Sequence, residues 1–278
     1  MHGFFKWLLV FTLMLGTGFF FLASSDTYAV PTPSNPYALY EDRAELPVSA
    51  TAWGLYDART NKLLSGHNTE AVLPIASITK LFTAYAVAAT DSYDETVIIN
   101  WHDLETHGRA GRFAHGDTFT LRELLFPLLL ESSNDAGEAI ARILGNRFAA
   151  RVAQVADDIS LDATTIADAS GLSNNNVSSV ADVASFVQHM HDAYPYVLDI
   201  TRLSLYVGED NGWRNNSPLY TSIGYQGGKH GFTSAAGRTF VGIFHMPDGA
   251  EVVLVLLGSS DLVRDARVLL GEEVVSVP

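Results

Sequence analysis

The sequence contains no cysteine among its 278 residues. This absence excludes disulfide bonds, thiolate nucleophiles and zinc sites built on cysteine. Basic residues are also scarce, because 17 Lys and Arg stand against 31 Asp and Glu and give a formal net charge of −14. No run of Lys or Arg interrupts this acidic excess, which argues against nucleic acid as a partner.

Two further patterns that often mark a catalytic site are missing. No Gly-x-Ser-x-Gly motif occurs, which argues against a hydrolase of the nucleophile-elbow type. His102, His107 and His115 lie in a polar stretch, but their spacing matches no helix face and does not predict a metal site. We therefore expect neither a metal nor a cofactor.

The longest hydrophobic run lies near the N-terminus, where the 17 residues from Trp7 to Ala23 carry no charge. As a helix they span about 25 Å, slightly less than the hydrocarbon core of a bilayer. Small residues follow and end at Ala29, which is typical of a signal peptide cut at that point, although an uncleaved membrane anchor fits equally. Residues 1–29 therefore predict an extracytoplasmic protein, whose membrane contact is limited to residues 7–23.

The remaining chain divides into a linker and one folded part. Residues 30–47 contain four prolines and little periodicity, which is typical of an extended linker. From residue 48 a strand hairpin is followed by helices, then by strands that form a second hairpin, then by a final helix. The pattern predicts one α+β domain over 48–278, with a mostly antiparallel sheet and an all-helical lobe inserted at about 91–215.

The most informative stretch contains Ser77 and Lys80 at the start of an apolar helical run. A separation of three residues places both side chains on one face of a helix. A serine hydroxyl becomes a nucleophile when a neighbouring base removes its proton, and a neutral lysine is such a base. The free N–H groups of a first helical turn also favour a developing negative charge.

Two later stretches carry further polar side chains. Ser132 and Asn134 are two residues apart in a turn between predicted helices, where both side chains can point to one place; a simple helix cap explains this turn as well. Lys229 lies among glycines just before the last hairpin, and glycine lets a backbone edge approach a ligand closely.

Together these stretches resemble the serine D-alanyl-D-alanine carboxypeptidases, the low-molecular-mass penicillin-binding proteins. The Ser-Ile-Thr-Lys run at 77–80, the Ser-Ser-Asn run at 132–134 and the Lys-His-Gly run at 229–231 occur in the family's order. The Ser-Gly-Leu that ends at Leu172 also matches, and the resemblance covers about residues 48–272. It implies a β-lactamase/transpeptidase-like fold, in which an antiparallel sheet is flanked by helices.

The resemblance also implies an activity. It indicates a D,D-carboxypeptidase in the cell envelope that removes the terminal D-alanine of a peptidoglycan stem peptide and is inhibited by β-lactams. Ser77 would form the acyl-enzyme, with Lys80 as its base and Ser132 as the proton relay to the leaving group. The implied substrate-binding residues are Asn134, Lys229, His230, Gly231, Phe232 and Thr233.

The sequence departs from the family pattern in its third motif. His230 replaces the usual threonine or serine, whose hydroxyl helps to hold the substrate's terminal carboxylate. An imidazole also donates a hydrogen bond, but it is larger and its charge varies near neutral pH. Many members continue into a β-rich domain and an amphipathic membrane helix, neither of which precedes Pro278 here. The family's arginine near the last helix has two candidates, Arg264 and Arg267.

Three other functions use a similar set of residues. A D,D-endopeptidase would cut cross-links by the same chemistry, and a wall-binding homologue would have lost turnover through His230. A β-lactamase of class A needs a Glu-x-x-x-Asn element after the second motif. Glu138 is the one glutamate between Ala136 and Leu172, and Arg142 stands where the asparagine is needed, so this alternative is disfavoured.

Overall fold

The computed structural model describes residues 37–40, 46–90, 92–108, 110–208 and 211–272, which all fall in one compact unit. The predicted signal or anchor segment at 1–29 and most of the predicted linker at 30–47 lie outside the described residues. Within the described ranges, no helix combines the length and the apolar character needed to cross a membrane.

The described ranges contain strands and helices in alternating groups. The strands are β1 (Ala52–Asp57), β2 (Leu63–His67), β3 (Leu73–Pro74), β4 (Thr96–Ile98), β5 (Thr118–Thr120), β6 (Val177–Ser178), β7 (Leu205–Val207), β8 (Gly212–Arg214), β9 (Tyr225–Thr233), β10 (Gly237–His245) and β11 (Glu251–Ser259). The helices are α1 (Thr79–Ala88), α2 (Leu121–Leu130), α3 (Asn134–Leu144), α4 (Asn146–Asp158), α5 (Val180–Ala193), α6 (Pro195–Arg202) and α7 (Leu262–Leu270).

Five strands form the main sheet in the order β2-β1-β11-β10-β9, and every neighbouring pair is antiparallel. The central strand β11 is apolar on both faces, because side chains alternate across a strand and each face is covered by a separate layer. Val253, Val255 and Leu257 pack with the larger helical layer, and Val252, Leu254 and Leu256 pack with the layer that contains α7. The α+β class and the antiparallel sheet predicted from the sequence are confirmed.

Helix α1 lies at the centre of the larger layer, and all ten of its residues are buried. The Phe82 ring stacks on the Phe186 ring of α5, with ring centroids 3.7 Å apart. Helix α1 also contacts α2, α3 and α4, while α5 packs across β1, β10 and β11. Burial on every side fixes the position of α1, and therefore the position of the residues just before it.

Most predicted elements occur where the sequence pattern placed them. The Thr-Leu-Arg-Glu run at 120–123 predicts a capping box, and helix α2 begins with one. The Thr120 hydroxyl accepts from Glu123 N, and the Glu123 carboxylate accepts from Thr120 N. Helix α6 and the β7–β8 hairpin were not predicted. Their short segments carry too few periodic positions to be distinguished from loop by pattern alone.

The buried Asp265 of α7 joins the two ends of the domain. Its carboxylate accepts hydrogen bonds from Ser49 N at 2.9 Å, from Ser49 Oγ at 2.7 Å and from Ser259 Oγ at 2.7 Å. We expect Asp265→Ala to lower the free energy of unfolding by about 3 kcal/mol, because the buried Ser259 hydroxyl and both polar groups of Ser49 lose a charged acceptor. Urea unfolding followed by circular dichroism measures the loss.

The control for this prediction is Asp199→Ala, which removes an exposed carboxylate that lies 3.4 Å from Arg202. Exposed ion pairs contribute little, so the control should stay within about 0.5 kcal/mol of the wild type. Equal losses in the two variants would contradict the role given to Asp265.

Candidate active site

Ser77 lies in a single turn of 3₁₀-helix, Ala76–Ile78, that leads directly into α1. The sequence predicted that the α-helix itself begins at Ser77, but α1 begins two residues later. Ala76 has a φ of 48°, a left-handed value that costs a non-glycine residue about 1 kcal/mol and indicates that its surroundings hold it there. The Ser77 N–H belongs to the first turn and has no intrahelical acceptor, so it can serve a ligand.

Lys80 is fully buried directly behind Ser77. Its Nζ lies 3.1 Å from Ser77 Oγ and 2.7 Å from Asn134 Oδ1, and it also contacts Ser170 O. Burial lowers the pKa of Lys80 to about 7, although Asp168 and Glu138 oppose this shift. A neutral amine has two N–H groups for the two carbonyl acceptors, which leaves its lone pair for the Ser77 hydroxyl proton.

The carbonyl of Ser170 is positioned by the loop that begins at Asp168. Burial opposes ionisation of this carboxyl, but hydrogen bonds from Gly171 N, Ser173 N and Ser170 N prevail and lower the pKa of Asp168. Gly171 has a φ of +84°, and a Cβ added there would lie 2.2 Å from Ala76 O. The loop therefore packs tightly against the turn of Ser77 while it offers a carbonyl to Lys80.

The second motif forms the turn between α2 and α3. Ser132 has a φ of 58°, and Ser133 caps α3 by accepting from Ala136 N at 3.1 Å. The capping explanation is thus correct for Ser133, and it coexists with a site. Asn134 Oδ1 accepts from Lys80, and its Nδ2 donates to His107 O at 2.7 Å. The Asn134 amide therefore positions Lys80 and also holds the 100–117 loop.

The third motif lies on β9, the edge strand of the main sheet, rather than in a separate turn. An added Cβ at Gly231 would stand 2.6 Å from Ser77 N, so the strand passes directly beside Ser77. On β10, Thr239 Oγ1 donates to Ile75 O at 2.9 Å and fixes this approach. An edge strand leaves alternate backbone groups unpaired, which makes them available to a substrate.

Lys229 extends from β9 to the second motif. Its Nζ donates to Ser132 Oγ at 2.9 Å and to His230 O at 2.7 Å, and the side chain is buried. Burial, with a smaller contribution from the Lys80 charge, holds the pKa of Lys229 well below its ordinary value. A bound carboxylate would favour the protonated form again, so substrate and proton binding at Lys229 are coupled.

The ionisation of His230 differs from what the sequence predicts. Burial, followed by the Lys229 and Lys80 charges, lowers its pKa to about 2. The imidazole is therefore neutral throughout the physiological range, whereas the sequence suggested a charge that varies near pH 7. No hydrogen bond joins the His230 ring to another residue that the structure describes, so its N–H can be donated to a ligand.

Phe232 and Thr233 complete the predicted site residues. The Phe232 side chain is 63% exposed, and Arg238 Cζ lies 5.6 Å from the centroid of its ring. Thr233 Oγ1 accepts from Ala236 N at 3.1 Å, which shapes the turn into β10. The Phe232 ring thus lies on the surface beside the site, while its backbone belongs to the edge strand β9.

Hydrogen bonds join most of the predicted polar residues into two serine–lysine pairs, Ser77 with Lys80 and Ser132 with Lys229. The sequence assigns no function to Asp168 or Ser170, although Ser170 begins the Ser-Gly-Leu run that matches the family. A serine hydroxyl beside a buried lysine of lowered pKa, in front of an open strand edge, defines a serine acyl-transfer enzyme.

Comparison with known proteins identifies the family. The model of the peptidase S11 family, the D-alanyl-D-alanine carboxypeptidases, matches residues 40–261, and the chain belongs to this family of serine-type D-Ala-D-Ala peptidases. It is 27% identical over 223 residues to the D-alanyl-D-alanine carboxypeptidase DacB2 of Mycobacterium tuberculosis, which covers 77% of this chain and 72% of that protein.

Two further relatives show the range of the likeness. A D-alanyl-D-alanine endopeptidase of Haemophilus influenzae is 28% identical over 160 residues, so the match spans 56% of this chain and about half, 53%, of that protein. The structure of penicillin-binding protein D2 from Listeria monocytogenes, in a cefotaxime-bound form, superposes with a TM-score of 0.74 at 27% identity. The superposition covers 82% of this chain and 98% of that one and confirms the transpeptidase-like fold.

The close packing at Gly171 yields a test of site geometry. We expect Gly171→Ala to slow acylation of Ser77 at least tenfold, because its Cβ would displace Ala76 O and with it the nucleophile. Stopped-flow acylation by a chromogenic cephalosporin measures the rate. Gly116→Ala is the matched control, since Gly116 also has a positive φ of +93° but no atom lies within 4 Å of the added Cβ. A similar slowing in both variants would attribute the effect to backbone strain instead.

Proposed function

We propose that this protein is a D,D-carboxypeptidase that releases the terminal D-alanine of peptidoglycan stem peptides through an acyl-enzyme on Ser77. The observation that carries the proposal is the contact between the Ser77 hydroxyl and the buried, readily deprotonated amine of Lys80. Family membership supports the reaction class.

In the acylation step, Ser77 Oγ attacks the carbonyl carbon of the penultimate D-alanine while its proton passes to Lys80. The new oxyanion lies between the N–H of Ser77 and the N–H of Phe232 on the edge strand, and donors of this kind are each worth about 10²–10³ in rate. As the C–N bond breaks, Ser132 gives its hydroxyl proton to the leaving nitrogen. The proton held by Lys80 then restores the Ser132 hydroxyl.

Release of the product uses the same residues. Water adds to the ester carbonyl, its oxygen becomes part of the new carboxylate, and the proton returns to Ser77 Oγ. Lys229 and the neutral His230 ring face the terminal carboxylate of the bound peptide, with Gly231 and Thr233 lining the strand beside it. Asn134 supports catalysis by positioning Lys80, and its remaining amide N–H is available to the peptide.

We extend the proposal to inhibitors and location. A β-lactam carbonyl would be attacked by Ser77 in the same way, and the cefotaxime-bound form of the Listeria relative supports this expectation. The substrate lies outside the cytoplasm, so residues 1–29 act as a cleaved signal or an anchor, and membrane contact is through residues 7–23. Maintenance of cell wall and cell shape would be the biological role.

A D,D-endopeptidase is the second candidate, since the same acyl-enzyme forms when the leaving amine belongs to a cross-linked stem peptide. The Haemophilus relative is named a D-alanyl-D-alanine endopeptidase, which supports this second candidate. A non-catalytic wall-binding protein is less favoured, because the contact between Ser77 and Lys80 is present in a chain that carries His230.

The lowered pKa of Lys80 predicts the pH dependence. Below pH 7 the amine is protonated and cannot accept the Ser77 proton, so acylation should fall about tenfold per pH unit there and level off above pH 7. Second-order acylation rates with penicillin from pH 5 to 9 give the midpoint. His230→Thr should leave that midpoint in place, and a midpoint that moves with His230 would contradict the assignment to Lys80.

Fluorescent penicillin tests the nucleophile directly. Residues 30–278 should be labelled covalently, and Ser77→Ala should remove the label because it removes the hydroxyl that contacts Lys80, the base of the proposed acylation. Ser132 also contacts a buried lysine, Lys229, but in this proposal it relays a proton and does not attack the carbonyl. D-Alanine release from a D-Ala-D-Ala peptide should disappear in parallel. Ser234→Ala, which changes an exposed serine beside the third motif, is the control. Labelling that survives in Ser77→Ala would refute the proposed mechanism.

A further inference from the structure

A cavity of about 610 Å³ adjoins the second motif. Glu131, which precedes Ser132, and Asp135, which follows the turn, both line it, and segment 214–216 forms the facing wall. Asn216 binds this wall to the turn, since its Nδ2 donates to Glu131 O at 2.9 Å. The cavity therefore lies beside the serine that protonates the leaving group in the proposed reaction.

The charged side chains that line the cavity differ in their hydrogen bonds and ion pairs. The Glu131 carboxylate is 2.9 Å from Arg112 Nη1 and accepts from Arg214 N at 3.2 Å and from Gly111 N at 3.3 Å. Asp135 accepts from Thr106. The guanidinium of Arg214 is exposed, and it makes no hydrogen bond or ion pair with any other residue that the structure describes. An arginine presented in this way is suited to a carboxylate.

A D-alanine leaving group is too small to account for this cavity. It offers one methyl side chain, whereas 610 Å³ lies within the range of whole small-molecule sites, about 300–1,000 Å³. In a cross-link between stem peptides, the leaving amine instead belongs to a diamino acid. When that residue is diaminopimelate, the carbon next to the amine carries a carboxylate and a methylene chain continues from it.

We propose that this cavity binds the leaving half of a cross-linked stem peptide and that Arg214 pairs with the carboxylate beside its amine. The inference rests on the proposed function, because it assigns the cavity through the relay role of Ser132. In the acylation step, for which this cavity would bind the leaving group, the Ser77 ester forms and the D-alanyl C–N bond breaks. The diamino acid then leaves as an amine that carries the Ser132 proton. Ala110 and Phe113 line the cavity with apolar atoms that suit the methylene chain.

The test compares two substrates of the purified protein, a diaminopimelate cross-linked muropeptide dimer and the monomeric pentapeptide. We expect Arg214→Ala to lower the dimer-to-monomer ratio of kcat/KM about tenfold, since a charge-assisted hydrogen bond is lost. Ala110→Phe, which fills the cavity, should lower the same ratio. Arg122→Ala removes an exposed arginine that does not line the cavity and should keep the wild-type ratio.

A muropeptide dimer whose diaminopimelate carboxylate is amidated tests the contribution of the carboxylate charge alone. The wild type should cleave it about tenfold more slowly than the free acid, and Arg214→Ala should cleave the two equally. Unchanged ratios in both cavity variants, with penicillin still labelling Ser77, would overturn the inference and leave the proposed function standing. A wild type that neither binds penicillin nor releases D-alanine would overturn both.

Discussion

The active site depends on the burial of one amine that has no carboxylate among its hydrogen-bond partners in the described residues. Two carbonyl oxygens contact Lys80, one from Asn134 and one from Ser170, and both accept N–H groups rather than donate protons. Burial disfavours the charged ammonium and outweighs the opposing charges of Asp168 and Glu138, so the surroundings favour loss of the proton and leave a base. The apolar helix α1 is thereby part of the chemistry as well as of the core.

Three separate segments surround the amine of Lys80, and a different interaction holds each of them in place. The Asp168 loop is held by backbone N–H donors, the second motif by a helix cap, and the β9 edge by a hydrogen bond from Thr239 to Ile75. Each of these interactions includes a backbone group, so the side chains of Ser77, Lys80 and Lys229 are not used as supports. The supports come from segments that are distant in the chain.

The sequence predicted the sheet, the capping box of α2 and the Ser77–Lys80 pair, because these depend on local periodicity and on motif spacing. It did not predict the contact between Ser132 and Lys229, which are far apart in the chain. It did not predict that Ser170 O contacts Lys80, since a backbone carbonyl carries no side-chain signal. The sequence also did not predict that His230 is neutral, because the pKa of His230 is set by burial and by the neighbouring lysines. The cavity near Arg214 depends on β8, a three-residue strand too short to be recognised from its pattern.

The burial of α1 on every side affects the stage of folding at which Ser77 becomes reactive. Ser77 is surrounded by groups that are distant in the chain, including Gly171 and Gly231, so its environment requires closure of long loops. An incompletely folded chain would hold Lys80 in water, protonated and unable to act as a base. Reactivity towards acyl donors is therefore acquired late in folding, and a chain that is still unfolded is protected from modification by its own chemistry.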